Sequence, residues 1–181
     1  MKTACIEIIV LSLIFLSGIT GCDQEDIAQK LARELPKITL EQFSLTETED
    51  GRKLWILDAQ HARVYNEIII ADSVRIRFYD EEEIEYSVLH APGGVLNTKT
   101  HNILVGDSVV VYTSDSSTLF TDSLFWYNDS QLIMTNQYVR IVKRDSTVIE
   151  GKGLRADPRL DKIEIIGATK GISPIELPSI Q

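Results

Sequence analysis

Ala71-Asp72-Ser73-Val74-Arg75-Ile76-Arg77-Phe78 decides the fold of this chain. Val74, Ile76 and Phe78 alternate with Arg75 and Arg77, and a period of two sends successive side chains to opposite faces of a strand. Val109 with Val111, Leu124 with Trp126, and Val139 with Ile141 repeat the arrangement. Just upstream, a small residue followed by Asp sits where such a strand would bend at a corner, close to neighbouring backbone. From about Ile38 onward, short stretches rich in Val, Ile, Thr, Phe and Tyr are broken by Gly, Asn and Asp, the pattern of many short strands.

The same corner recurs as Gly106-Asp107-Ser108-Val109 and Thr135-Asn136-Gln137-Tyr138-Val139, with Gly167-Ala168 as a worn further copy. Between these fall Leu57-Asp58-Ala59, Leu89-His90-Ala91, Leu119-Phe120-Thr121 and Ile149-Glu150-Gly151, an apolar-x-small pattern whose last residues are 32, 30 and 30 positions apart. A period near 30 residues with several strands per unit indicates a stacked or wound β architecture. Such units bury a continuous core only by packing on one another. Ile68-Ile69-Ile70 and Ile163-Glu164-Ile165-Ile166 are apolar on both faces. They fit strands covered on both sides, or edge strands that meet a partner.

The N-terminus has a different character. An apolar run from Ile8 to Leu16 leads into Ile19-Thr20-Gly21-Cys22-Asp23. The run is too short to span a bilayer, which takes about 20 apolar residues, and has the length of a signal peptide's apolar region. Small residues before a cysteine are what a lipoprotein signal peptidase cuts. The expected organisation is a signal peptide over 1–21, a lipidated Cys22 with a short amphipathic tether over 22–37, a β domain over 38–174 and a tail over 175–181. Ile27, Leu31 and Leu35 form the tether's apolar stripe, and Pro36 ends it. Cys5 would leave with the signal and Cys22 would carry lipid, so no thiol remains for a disulfide, a nucleophile or zinc.

Twenty-seven acidic against 18 basic residues give a net charge of −9. Such a chain has no basic field to release counterions from nucleic-acid phosphates. The motifs of a serine-hydrolase elbow, a phosphate loop or a zinc protease are missing. His61, His90 and His101 are scattered, and Asp80-Glu81-Glu82-Glu83 sits where a solvated turn belongs. Gly151-Lys152-Gly153 suits a bulge or turn better than a phosphate cradle. No catalytic residue, metal or cofactor is expected.

Trp55-x-Leu57-x-Ala59-x-x-Ala62-x-x-Tyr65, Val74-x-Ile76-x-Phe78-Tyr79 and Ala91-x-x-Gly94-x-Leu96-Asn97 occur here in order. They are followed by Leu104-x-Gly106-x-x-Val109, Leu119-x-Thr121-x-x-Leu124-x-Trp126-Tyr127 and Ile149-x-Gly151-x-Gly153-Leu154-x-Ala156-Asp157. In this order and spacing the chain resembles the LptC family of the lipopolysaccharide export machine, whose repeat also occurs in LptA and the periplasmic domain of LptD. The resemblance implies an all-β fold, an open, twisted antiparallel jellyroll of two facing sheets. Its groove would receive lipopolysaccharide from the inner-membrane ABC transporter (LptB, LptF, LptG) and deliver it to LptA.

Choosing one face of each strand by alternation, the groove residues would be Leu57, Val74, Ile76, Phe78, Val109, Val111, Leu124, Trp126, Val139 and Ile141. A core role serves each of them equally well. The edges pairing with partners would map near residues 54–70 and 147–172. They would include Trp55 and Ile56 at one end, and Val148, Gly151, Gly153, Ile163 and Ile165 at the other. Arg75, Arg77 and Arg140 are cations that could meet lipid phosphates at a rim, although solvated surface is their more economical role. Familiar members of the family anchor with a transmembrane helix; Cys22 would replace it, holding the body in the periplasm at the outer face of the inner membrane. Two other readings stand beside this one: a structural or adhesive envelope lipoprotein with a dry core, and a hydrolase of envelope polymers.

Overall fold

The computed structural model describes residues 35–172. Segment 1–21, Cys22, most of the 22–37 tether and the 175–181 tail lie outside the described residues. The strands are β1 (Ile38–Glu49), β2 (Arg52–Val64), β3 (Ile68–Tyr79), β4 (Glu85–Asn97) and β5 (Ile103–Thr113). They continue with β6 (Thr118–Tyr127), β7 (Leu132–Val142), β8 (Val148–Ala156), β9 (Ile163–Ile165) and β10 (Thr169–Ile172). All belong to one sheet in which β1 to β8 pair in chain order, each antiparallel to the next. The all-β strands expected from the alternation, and the open jellyroll that the resemblance implied, are the fold observed.

The sheet is not flat, because the ladder breaks or slips near the middle of its strands. Pairing is interrupted between Asp58 and His61 on β2, and register shifts occur between Gly106 and Val109, Thr121 and Phe125, and Thr135 and Tyr138. Ser73, Asp107 and Ser108 take left-handed backbone at this line, with φ of 56°, 64° and 81°. Irregularities of this kind bend a strand and sharpen its twist. Aligned across the sheet, they fold it over, so each long strand contributes its two ends to two half-sheets. The Ala71-Asp72, Gly106-Asp107 and Thr135-Asn136 corners lie on this line. The period of 30 residues is one hairpin across it.

Gly167-Ala168 completes the pattern. β9 pairs with Leu154–Ala156 and β10 with Val148–Gly151, so β9 and β10 are the two ends of one bent strand along β8. Its corner is tied by the Ile166 and Gly167 N–H groups, which donate to the carbonyls of Gly153 and Lys152. Gly151 and Gly153 make that close approach possible. A Cβ on Gly151 would run into the Ile165 side chain, and Gly153 has a φ of +79° against Ile166.

The sheet keeps two edges among the described residues: β1, paired only with β2, and the bent strand β9–β10, paired only with β8. This corrects part of the edge assignment. Trp55 and Ile56 lie on β2, which β1 covers, and Val148 and Gly151 lie between β7 and β10. Gly153 also lies within β8, whereas Ile163 and Ile165 do lie on an edge strand. β1 escaped notice because Glu41, Glu47 and Glu49 dilute the alternation of its half-buried Leu40, Phe43 and Leu45. Charge of that kind is what an edge carries to avoid unwanted pairing.

The tight corner yields a stability prediction. Gly151→Ala should lose about 1–3 kcal/mol, the usual cost of overpacking, in denaturant-induced unfolding. Gly93→Ala, whose Cβ would meet nothing nearer than the Ala71 carbonyl oxygen at 3.7 Å, should lose far less. Equal stability of the two variants would contradict this account of the corner.

Candidate functional site

The inner faces of the two half-sheets form one apolar interior. In one half, Leu57, Ile76, Leu89, Val111, Leu119 and Ile141 are cross-strand neighbours in a single row. In the other, Ile69, Leu96, Ile103, Trp126, Ile133 and Ala156 form the matching row. The halves meet where the Phe78 and Trp126 rings lie 4.9 Å apart. All ten residues expected to line a groove point into this interior: Leu57, Val74, Ile76, Phe78, Val109, Val111, Leu124, Trp126, Val139 and Ile141 are each at most 2% exposed. In this structure they form a packed core rather than an open groove.

The core is closed because the rims opposite the corner line touch. The turns after β4, β6 and β8 end one half-sheet, and each is tied to the other half. After β4, His101 Nδ1 lies 2.6 Å from Glu47 Oε1. After β6, Gln131 Nε2 donates to Glu49 Oε2 at 3.3 Å. After β8, the Arg159 guanidinium lies 3.4 Å from Asp80 Oδ2 and 4.0 Å over the Tyr86 ring. Lys143 Nζ donates to the Leu160 carbonyl at 2.6 Å. The Leu160 side chain itself is fully buried. A turn residue thus plugs the interior at the sheet's C-terminal end.

The centre of this seam is Asn128. Its Oδ1 accepts from Trp55 Nε1 at 2.9 Å and from Trp126 Nε1 at 3.3 Å, so one amide satisfies both tryptophans of the chain. Asn102 Oδ1 in turn accepts from the Asn128 backbone N–H at 2.9 Å. Buried indole N–H groups need such an acceptor. Just inside the rim, Ser87 Oγ is buried and has no hydrogen-bond partner among the described residues.

Charges sit outside the core. Arg77 Nη2 pairs with Asp58 Oδ2 at 2.8 Å and Arg140 Nε with Glu150 Oε1 at 3.4 Å. Arg75, Arg77 and Arg140 alternate with core residues and take the outer faces, away from the rim. Other cations stand at the rim, and three of them, Arg52, Lys53 and Arg159, line a cleft of about 220 Å³ with Tyr79 and Tyr86. Carboxylates of the β3–β4 turn meet all three, as Glu81 lies 3.8 Å from Arg52, Glu83 3.5 Å from Lys53, and Asp80 beside Arg159. The Ile84 N–H donates to Asp80 and, with help from Arg159, holds its carboxyl below the ordinary value. Burial pushes the Tyr86 hydroxyl up to about 12.

His90 and His101 do not meet: His90 stands edge-on to Tyr112, and His101 belongs to the seam. Among the described residues no group of three His, Cys, Asp or Glu side chains is placed to hold a metal ion. Sequence reasoning missed Asn128, Arg159 and Leu160 because each lies in a turn whose partner is remote in the chain. The only trace is Leu160 itself, a lone apolar residue in Asp157-Pro158-Arg159-Leu160-Asp161.

A family model described as lipopolysaccharide-assembly, LptC-related, matches residues 4–173. No curated protein matches the chain.

Asn128 offers a direct check on the seam. Asn128→Leu would leave two buried indole donors unpaired, at about 1–3 kcal/mol each, so denaturant unfolding should show a loss of at least about 2 kcal/mol. Asp129→Leu, in the same turn but exposed, should be nearly neutral. Wild-type stability of Asn128→Leu would remove the residue from its central place.

Proposed function

Since the chain belongs to the LptC-related family of lipopolysaccharide-assembly proteins, and so takes part in lipopolysaccharide transport in the cell envelope, we propose that it is the periplasmic bridge component that carries the lipid between its half-sheets. It receives lipopolysaccharide from the inner-membrane ABC transporter LptB–LptF–LptG and passes it to an LptA-like partner. The observation that carries this reading is the apolar interior, which continues across the strands of both half-sheets from β2 to β8.

Each free edge presents backbone N–H and C=O groups that can add a strand from another chain. The β1 edge faces the transporter's periplasmic domain and the β9–β10 edge faces the LptA-like partner. Lipidated Cys22 holds the body at the outer face of the inner membrane and takes no part in the conduit.

Each acyl methylene buried contributes about 0.8 kcal/mol, so a long acyl chain gains roughly 10 kcal/mol before the cost of ordering it. That is enough to hold the lipid out of water. Similar interiors in series pass it on with little change in free energy, and the transporter's ATP supplies direction. The packed interior favours one other reading, a structural or adhesive β-lipoprotein whose core never opens.

Photo-crosslinking residues at Ile76, Val111 and Ile141, in cells making lipopolysaccharide, separate the two. Inward positions should capture the lipid, and the outward controls Val110 and Tyr112 should not. Capture at the outward controls with none at inward positions would overturn the transport reading.

A further inference from the structure

An amphiphile carried in this interior has to leave its head group somewhere. On the corner side the backbone runs without a break from one half-sheet to the other, so no polar head can pass there. Away from the two end strands, acyl chains between the halves can reach a head group only through the seam. The rim cleft of about 220 Å³ lies on that seam, where the β1–β2 and β3–β4 turns of one half meet the turns after β6 and β8 of the other.

We propose that Arg52, Lys53 and Arg159 form a phosphate site for the head group of the lipid cargo, masked in the empty protein by the carboxylates of the β3–β4 turn. This rests on the transport reading. The cleft gathers three cations in a chain of net charge −9, and all three are met by acids of one turn. Glu83 even reaches the backbone, its Oε1 accepting from the Lys53 N–H at 3.1 Å. The turn's carboxylates therefore stand where a phosphate's oxygens would stand.

The mask is weak enough to be displaced. The Arg52 and Glu81 side chains are 51% and 85% exposed, and ion pairs so open to water contribute little. A phosphate monoester brings up to two negative charges and several acceptor oxygens to one point, and arginine binds it through two parallel hydrogen bonds. Beneath the cations, Tyr86 supplies a ring under Arg159 and Tyr79 lies 4.8 Å from Lys53 Nζ. Ser87, next in sequence to Tyr86, keeps its unpaired hydroxyl just inside. Taking Asp80 from Arg159 also removes one tie across the seam, so seating the head group and opening the interior are coupled.

The full-length protein would be assayed for binding of lipopolysaccharide, the same lipid stripped of its phosphates, and inorganic phosphate. Arg52→Gln/Lys53→Gln/Arg159→Gln should weaken binding of the phosphorylated lipid about tenfold or more, since each change removes charge-assisted hydrogen bonds to phosphate. It should leave the stripped lipid unaffected. Glu81→Gln/Glu83→Gln, which unmasks Arg52 and Lys53 without touching Asp80's hold on the turn or on Arg159, should strengthen binding of the phosphorylated lipid alone. Equal effects on both lipids, or none, would overturn the site while leaving the transport reading intact. Inorganic phosphate bound as tightly as the lipid would make this a free-anion site and overturn the head-group assignment. Failure of the wild type to bind either lipid would overturn the transport reading and the site with it.

Discussion

Everything in this molecule depends on one line of irregular backbone crossing the middle of its strands. Antiparallel strands of ten or more residues with alternating apolar faces would otherwise make a flat sheet with one greasy side exposed to water. At the line, Ser73, Asp107 and Ser108 adopt positive φ and the ladder slips between Gly106 and Val109 and between Thr135 and Tyr138. Bending there turns the apolar face onto itself. The two halves then bury each other, and the Phe78–Trp126 contact is where they meet. Folding one sheet rather than stacking two separate ones leaves the sheet's two end strands, β1 and β9–β10, with one neighbour each among the described residues.

The side opposite the corner has a different chemistry. The fold line is covalent, whereas the seam is held by a few polar contacts, several half exposed. Contacts of that kind contribute roughly a kilocalorie per mole or less each, against several for a packed core residue. The asymmetry sets a continuous backbone on one side of the sandwich against separable polar contacts on the other. Asn128 is the firmest tie, because the indole groups it satisfies are buried, while Arg159 and the β3–β4 turn are bound chiefly by charge.

Much of this was legible in the sequence, and the parts that were not share a cause. Alternation in Val74-Arg75-Ile76-Arg77-Phe78 identifies strand and face together, and all ten residues chosen by that rule lie inward. The corners were legible because a small residue before Asp or Asn recurs ahead of successive hydrophobic strands. The β1 edge was not, since an edge strand keeps its polar residues and blurs the period that betrays a buried one. Apart from the lone apolar Leu160 in its polar turn, the seam left no local signal: Trp55 and Asn128 are 73 residues apart, and Asp80 and Arg159 are 79 apart. Pairing between turns is a consequence of the fold, so it becomes visible only once the sheet has been folded over.

The central claim is that a hinged sheet opens at its seam to admit lipid, and the distance across that seam tests it most directly. Paired spectroscopic labels at Asp50 and Ser130, on turns that meet at the seam, would be compared with a pair at Asp107 and Asp122 beside the corner line. On adding lipopolysaccharide to the full-length protein, the seam distance should grow while the corner distance holds. Bound lipid with an unchanged seam distance would contradict the account.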